Sequence, residues 1–168
     1  VILRFLLLIL FFLFSCEKNS SSPLCCIDSC DELGNIEDCD GVCNGTSTWC
    51  FDNDGILDNF NDYQYNGSLT SIVVSDDVSI GQPGDVLGAF VSGELRGVAI
   101  ATQIPSELGE GYAFLLLAYS NQPSDESIDF KFYDSDLNLT YDIMQNIDFI
   151  SDMTQGNIIT PILLEIID

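Results

Sequence analysis

The sequence predicts an all-β chain in which an antiparallel β-sandwich, of immunoglobulin-like or jelly-roll type, follows an irregular stalk rich in cysteine and aspartate. Residues 63–168 hold no cysteine and about eight short apolar runs between turn residues, which is typical of a sandwich. Residues 127–133 (SIDFKFY) alternate, with Ile128, Phe130 and Phe132 on one side. No stretch has a convincing helical period.

The predicted strands follow one another closely. Residues 68–75 are rich in β-branched side chains, and residues 85–91 and 94–103 flank Ser92-Gly93, a hairpin signal. Residues 112–119 (YAFLLLAY) are continuously apolar, which indicates a central strand covered on both faces. The remaining predicted strands are 127–133, 139–144, 147–150 and 156–167, the last interrupted by Pro161. We expect the core to be drawn from Ile72, Val74, Leu87, Phe90, Val98, Ile100, Phe114, Leu116, Ile128, Phe130, Phe132, Ile147, Phe149, Ile162, Leu164 and Ile166.

The N-terminus has the composition of an export signal. Arg4 precedes ten apolar residues, too few to span a bilayer. The run ends in Leu13-Phe14-Ser15-Cys16, which resembles the lipobox of bacterial lipoproteins, although Phe14 is bulkier than usual. The resemblance implies cleavage before Cys16, lipidation of that residue, and anchoring outside the cytoplasm at the outer membrane or cell surface. An ordinary signal peptide or an uncleaved anchor is the alternative. We therefore expect a signal peptide over residues 1–15 and a tether over residues 16–23.

The charge excludes some classes of partner. Without residues 1–15, 3 basic and 27 acidic side chains remain, a net charge of −24. Nucleic acids and anionic membrane surfaces are therefore poor partners, because both select Lys and Arg. The excess of carboxylates is suited to binding divalent cations or to a protein surface in salty water. A solvated surface explains most of these charges.

Cysteines are confined to the N-terminal third. Of the seven, six remain once Cys16 is assigned to the lipid, and they predict up to three disulfides with fifteen possible connectivities. Zinc is the competing interpretation, because Cys39 and Cys43 have a plausible ligand spacing, but the chain has no histidine. The disulfide candidates are Cys25, Cys26, Cys30, Cys39, Cys43 and Cys50.

A repeated DxDG pattern within the predicted stalk, residues 24–62, suggests calcium. Alternate carboxylates before a glycine let oxygens converge on the ion. The second copy resembles the calcium loops of thrombospondin type 3 repeats and, more loosely, those of EF-hands and dockerins. Its candidate ligands are Asp52, Asp54, the Ile56 carbonyl, Asp58, and Asn61 or Asp62; those of the first copy are Asp38, Asp40 and Asn44. Both copies lack the usual first aspartate, so we expect weak binding, and a metal-free turn is the alternative.

Three further stretches resemble parts of secreted marine bacterial proteins. Residues 39–50 are similar to disulfide-linked CxGVCxG spacers. Residues 88–99 match a GAFVxGExRGVA hairpin, and residues 130–134 match a later FKxYD strand; together they resemble a β-sandwich module of Bacteroidetes-like surface proteins. That likeness covers most of residues 63–168 and implies an extracellular location. We expect Arg96 to form a charge pair with Asp85 or Glu94 that fixes the hairpin.

The sequence gives little support for catalysis. It has no histidine and no GxSxG, SxxK or HExxH motif, so we expect no enzyme. The first functional hypothesis is a non-catalytic surface lipoprotein for adhesion, display or docking, with a calcium-stabilised stalk. The second is a carbohydrate-binding lipoprotein that delivers glycans to uptake machinery, because Tyr63, Tyr65, Tyr119 and Tyr133 are candidates for stacking on sugar rings. A row of exposed aromatic side chains on one face would favour the second.

Overall fold

The computed structural model describes residues 54–167. They belong to the second of two compact units, Trp49–Asp168. No helix in this part of the chain is both long and apolar enough to cross a membrane. Within residues 54–167, the elements in chain order are a 3-10 turn (Phe60–Asp62) and ten strands: β1 (Tyr65–Ser75), β2 (Val78–Ser79), β3 (Val86–Val91), β4 (Glu94–Ile100), β5 (Thr102–Gln103), β6 (Tyr112–Ser120), β7 (Glu126–Asp134), β8 (Leu139–Phe149), β9 (Thr154–Gln155) and β10 (Ile162–Glu165).

The strands form two open sheets, as the sequence predicts for a sandwich. One has the order β10-β1-β6-β5, with β2 and β9 also paired to β1, and the other has the order β4-β3-β7-β8. The described pairs are antiparallel except for those that β1 makes with β9 and β10, which are parallel. An antiparallel bridge between Ile143 and Ile166 links the two sheets beside β8. Strand β10, the last in the chain, therefore lies beside β1, the first strand.

The core lies between the sheets, and β7 supplies its clearest row. Ile128, Phe130 and Phe132 are almost fully buried, which confirms the predicted alternation. Phe132 packs edge-on against Phe114 of the opposite sheet, with ring centroids 6.0 Å apart. Burial of such side chains is the main source of stability in a domain of this kind.

In β1, the core prediction is confirmed for Val74, which is buried, and is wrong for Ile72. Leu69, Ser71 and Val73 point into the core, whereas Ile72 lies on the outer face and is only half-buried. The run Ile72-Val73-Val74 is apolar in both phases, so its composition does not distinguish the two registers. Among the other predicted core residues, Ile100, Ile147 and Ile162 are also only half-buried.

Several strand predictions need correction as well. The predicted strand 156–167 is limited to β10, and the predicted strand 94–103 is divided into β4 and β5. Strand β6 is covered on one face only, because Leu115 and Leu117 are 53% and 46% exposed. The two strands predicted at 139–144 and 147–150 are the single strand β8, which ends at Phe149, because pairing with β7 continues through Asn146 across an irregularity in register. In contrast, the hairpin turn at Ser92-Gly93 is confirmed, with positive φ at both residues.

At Gly97, the backbone of β4 lies close against the backbone of β6 in the opposite sheet. A Cβ atom there would lie far inside contact distance of the Leu117 carbonyl oxygen on β6. Gly97 pairs with Ala89, whereas the next register pair joins Phe90 to Leu95. Arg96 is therefore an extra residue in a β-bulge, a feature that redirects the side chain of the bulged strand.

The facing of β7 gives a test of the core. Phe130→Ala should lower the free energy of unfolding by about 3 to 5 kcal/mol, because it empties a site between the sheets. Lys131→Ala should change it by less than about 0.5 kcal/mol, because the pair of Lys131 with Asp142 is exposed. Urea unfolding monitored by circular dichroism measures both, and equal losses would contradict this facing.

Candidate functional site

Three aromatic side chains meet at one end of β6, and we call them the aromatic patch: Phe60, Tyr63 and Tyr119. The ring centroids of Phe60 and Tyr119 lie 6.1 Å apart at an interplanar angle of 38°. Those of Tyr63 and Tyr119 lie 6.2 Å apart at 31°. Phe60 is exposed, and the two tyrosines are half-buried. The result is a twisted aromatic surface that remains open to solvent.

The 3-10 turn before β1 positions two of these rings, those of Phe60 and Tyr63. Leu57 is buried, and its carbonyl accepts the Phe60 N–H at 3.1 Å. The Asn59 carbonyl accepts the Asp62 N–H at 2.9 Å, which closes the 3-10 turn. Tyr63 then returns to extended backbone with φ −109°. Burial of Leu57 fixes the turn, so the rings of Phe60 and Tyr63 lie beside Tyr119 instead of moving freely.

Arg96 lies beneath the patch. Its guanidinium carbon is 4.8 Å from the centroid of the Tyr63 ring, within cation–π range. Its Nη2 lies 3.2 Å from Glu94 Oε2 and 3.8 Å from Glu126 Oε1. Its Nη1 donates to the Tyr119 carbonyl at 3.4 Å. With its side chain only 11% exposed, Arg96 joins β4, β6, β7 and the segment that carries Tyr63.

Glu94 and Glu126 serve different parts of this cluster. The Tyr63 hydroxyl donates to Glu94 Oε1 at 2.8 Å, so Glu94 holds both the ring and the guanidinium. Glu126 accepts a short hydrogen bond from the Ser120 hydroxyl, whose oxygen accepts the Gln122 N–H at 2.8 Å. The end of β6 and the start of β7 are thereby tied together next to Arg96.

The environment of the patch changes the acidity of two phenols. Partial burial, followed by the hydrogen bond from its hydroxyl to Glu94 and the charge of that carboxylate, raises the pKa of Tyr63; Arg96 opposes the change. Partial burial alone raises the pKa of Tyr119. Both phenols are therefore neutral at physiological pH and can donate hydrogen bonds.

The patch continues along the outer face of β6 as a leucine strip, Leu115 and Leu117. Residues two apart on a strand share a face, so both leucines lie on the same face as Tyr119. The register pairs Leu115 with Thr70 and Leu117 with Ser68 on β1. An apolar row on β6 therefore runs beside a row of hydroxyl side chains on β1. An exposed apolar face with a polar border is typical of an interaction surface.

The predicted charge pair of Arg96 with Asp85 or Glu94 is confirmed, and the partner is Glu94. The Asp85 carboxylate is buried elsewhere, where it accepts the Gln82 N–H at 2.7 Å and the Ser135 N–H at 3.0 Å. Asp85 therefore fixes the loop before β3 to the loop after β7. The β-bulge directs Arg96 away from this site and toward β6.

Only part of the predicted calcium site lies in the described residues. Asp54 Oδ1 accepts the Ile56 N–H at 2.7 Å, and Gly55 has φ +76°, so the described part of the second loop contains an Asx-type turn. Asp58 is exposed, and Asn61 and Asp62 belong to the 3-10 turn. Within residues 54–167, no three His, Cys, Asp or Glu side chains are grouped to hold a metal ion. The remaining candidates lie outside the described residues: Cys16, Cys25, Cys26, Cys30, Asp38, Cys39, Asp40, Cys43, Asn44, Cys50 and Asp52.

The structure brings together only some of the predicted aromatic residues. Tyr63 and Tyr119 meet in the patch, but Tyr65 packs against the core and Tyr133 lies on the other sheet. The sequence does not single out Phe60 as a ligand-contacting residue, because it lies in the predicted stalk, residues 24–62. Glu126 was also missed, and no local pattern marks it. The chain has no significant match among protein-family models, curated proteins or solved structures.

The raised pKa of Tyr63 predicts a loss of stability at high pH. The unfolded chain releases this proton near pH 10, before the folded chain does, so the contribution is complete below that pH and is lost as pH rises through the folded-state pKa. Tyr63→Phe, which removes the hydrogen bond to Glu94 and the longer one from Asn59, should be about 1 kcal/mol less stable than the parent at pH 9. The difference should shrink by pH 11 in urea unfolding experiments, and a constant difference would contradict the assigned interaction.

Proposed function

We propose that this chain is a non-catalytic surface lipoprotein whose sandwich docks a ligand through the outer face of the six-stranded sheet. The observation that supports the proposal is the continuity of the aromatic patch with the leucine strip. Apolar side chains on a solvent-facing sheet reduce solubility, so such a face is consistent with selection for binding. The membrane anchor in this proposal is the lipid on Cys16, at the outer membrane or cell surface.

The fixed geometry of the patch favours docking without a large rearrangement. Arg96, Glu94 and the Tyr63 hydroxyl already contact one another, and the backbone of β6 supports Tyr119. A rigid aromatic surface loses little conformational entropy when a ligand covers it. Tyrosine side chains also combine a large apolar surface with a hydroxyl that bonds to polar ligands.

A second candidate function is carbohydrate binding for delivery to uptake machinery. The specific observation in its favour is the grouping of Phe60, Tyr63 and Tyr119 around one point of the surface. Aromatic rings offer a flat apolar surface to the C–H groups of a sugar, and neighbouring carboxylates accept hydrogen bonds from its hydroxyls. Glu94, whose side chain is 58% exposed, is such an acceptor.

Adhesion of coated beads tests the docking face. Beads that carry the full-length protein should adhere to intact bacterial cells or to particles of cellulose, chitin or agarose. Tyr119→Ala and Leu117→Asn should each lower that adhesion about fivefold, because each removes a contact worth about 1 kcal/mol. Tyr133→Ala on the other sheet is the matched control and should keep full adhesion. Undiminished adhesion of both test variants would overturn the assignment of this face.

The proposed anchor has a direct test. Cys16→Ser should release the protein from the membrane fraction and abolish incorporation of a clickable fatty acid, because it removes the thiol that carries the diacylglycerol. Cys43→Ser is the matched control and should retain the label. Labelling that persists in Cys16→Ser would contradict lipidation at this residue.

Calcium is the proposed stabiliser of the stalk, because a segment with few apolar residues takes its order from cross-links or metal. Isothermal calorimetry on the oxidised full-length protein should detect binding with Kd on the order of 0.1 to 1 mM. Combined Asp52→Ala and Asp54→Ala substitutions should remove at least one of the sites. Equal heats for the parent and the double variant would reduce these aspartates to turn residues.

A further inference from the structure

We infer that the aromatic patch and leucine strip select glycans that carry no carboxylate or sulfate group. The inference rests on the carbohydrate-binding function proposed above and defines the chemical class of its ligand. Three observations support it: the adjacent rings, the acceptor groups beside them, and the distribution of charge around them.

The rings provide a surface that suits pyranose units. Tyr119 lies about 6 Å from both of its aromatic neighbours, so two adjacent rings can cover the C–H faces of one or two sugar residues. Leu117 and Leu115 extend this surface along β6 in steps of about 6.5 Å, the distance between alternate residues of a strand. The surface is open and extended, which fits a chain of sugar units.

The polar groups at the border match the hydroxyl groups of a glycan. Glu94 presents an exposed carboxylate at one side, and Asn59 Nδ2 lies 3.4 Å from the Tyr63 hydroxyl. On the other side, Ser68 and Thr70 present hydroxyls from β1 beside the leucine strip. These groups donate to and accept from sugar hydroxyls, and none of them carries a positive charge.

Positive charge in the described residues is confined to Arg96 and Lys131. Arg96 is 89% buried beneath the Tyr63 ring and is already paired with Glu94 and Glu126. Lys131 lies on the other sheet, where its Nζ is 2.6 Å from Asp142 Oδ1. Neither cation therefore offers the charge-assisted contact by which proteins bind sulfate or carboxylate groups.

Negative charge surrounds the same surface. Asp58 and Asp62 flank Phe60 in the turn and are exposed, and Glu94 borders Tyr63. The whole chain has a net charge of −23, which adds a repulsive field. A sulfated or uronic-acid glycan would lose affinity through this repulsion without gaining an ion pair. An uncharged glycan would lose no affinity through this repulsion.

Matched pairs of glycans test the inference with the purified full-length protein. A glycan array should contain neutral polysaccharides beside anionic derivatives with the same backbone, such as hydroxyethyl cellulose with carboxymethyl cellulose and laminarin with sulfated laminarin. At 0.1 M NaCl, the protein should bind a neutral member about tenfold more tightly than its charged derivative. The preference should shrink at 1 M NaCl, where the Debye length falls from about 10 Å to about 3 Å.

Variants separate this inference from the proposed function. Tyr119→Ala should weaken binding to the neutral glycans about fivefold, and Tyr133→Ala should not. Charged derivatives bound as tightly as neutral ones, with binding still lost in Tyr119→Ala, would overturn the charge selectivity and leave the carbohydrate-binding function standing. Absence of binding to every glycan, or binding that Tyr119→Ala leaves unchanged, would overturn both.

Discussion

The close approach of β4 to β6 at Gly97 is the constraint on which the candidate site depends. Because Gly97 has no side chain, the backbone of β4 lies directly against the Leu117 carbonyl. The adjacent bulge places Arg96 outside the regular ladder, and the short distance between the strands lets it reach the Tyr119 carbonyl and the Tyr63 ring. A side chain at residue 97 would push the strands apart and separate Arg96 from both tyrosines.

The burial of the Arg96 guanidinium is favourable only because several neighbouring groups compensate for its lost hydration. Removing a guanidinium from water costs several kcal/mol, and one exposed carboxylate offsets little of that cost. Here two carboxylates, a carbonyl and an aromatic face surround the group, although its buried Nε has no hydrogen-bond acceptor within the described part of the chain. The planar fork of arginine reaches these partners in different directions, which the single ammonium of lysine does not do. The same contacts that stabilise the charge hold Tyr63 in the patch.

Local sequence patterns predict where the strands lie better than they predict which side of each strand is buried. Strict alternation identifies the inward side of β7, because only one of its two phases is apolar. The run Ile72-Val73-Val74 is apolar in both phases, and in β6 the leucines alternate between core and solvent without a change in residue type. The meeting of Tyr63 with Tyr119 depends on contacts between residues far apart in the chain. It therefore follows from the strand order and the bulge, neither of which has a local signature.

The negative charge of the chain counteracts one consequence of the apolar outer face of β6, its tendency to associate. An exposed row such as Leu115 and Leu117 invites association between copies of a protein. Repulsion between chains of net charge −23 opposes that association, and screening in salty water weakens it only beyond the Debye length. The carboxylates nearest to the patch act within that distance. The charge therefore opposes association between copies of the chain through the apolar face, and under the proposed function it does not oppose ligands that carry no charge of the same sign.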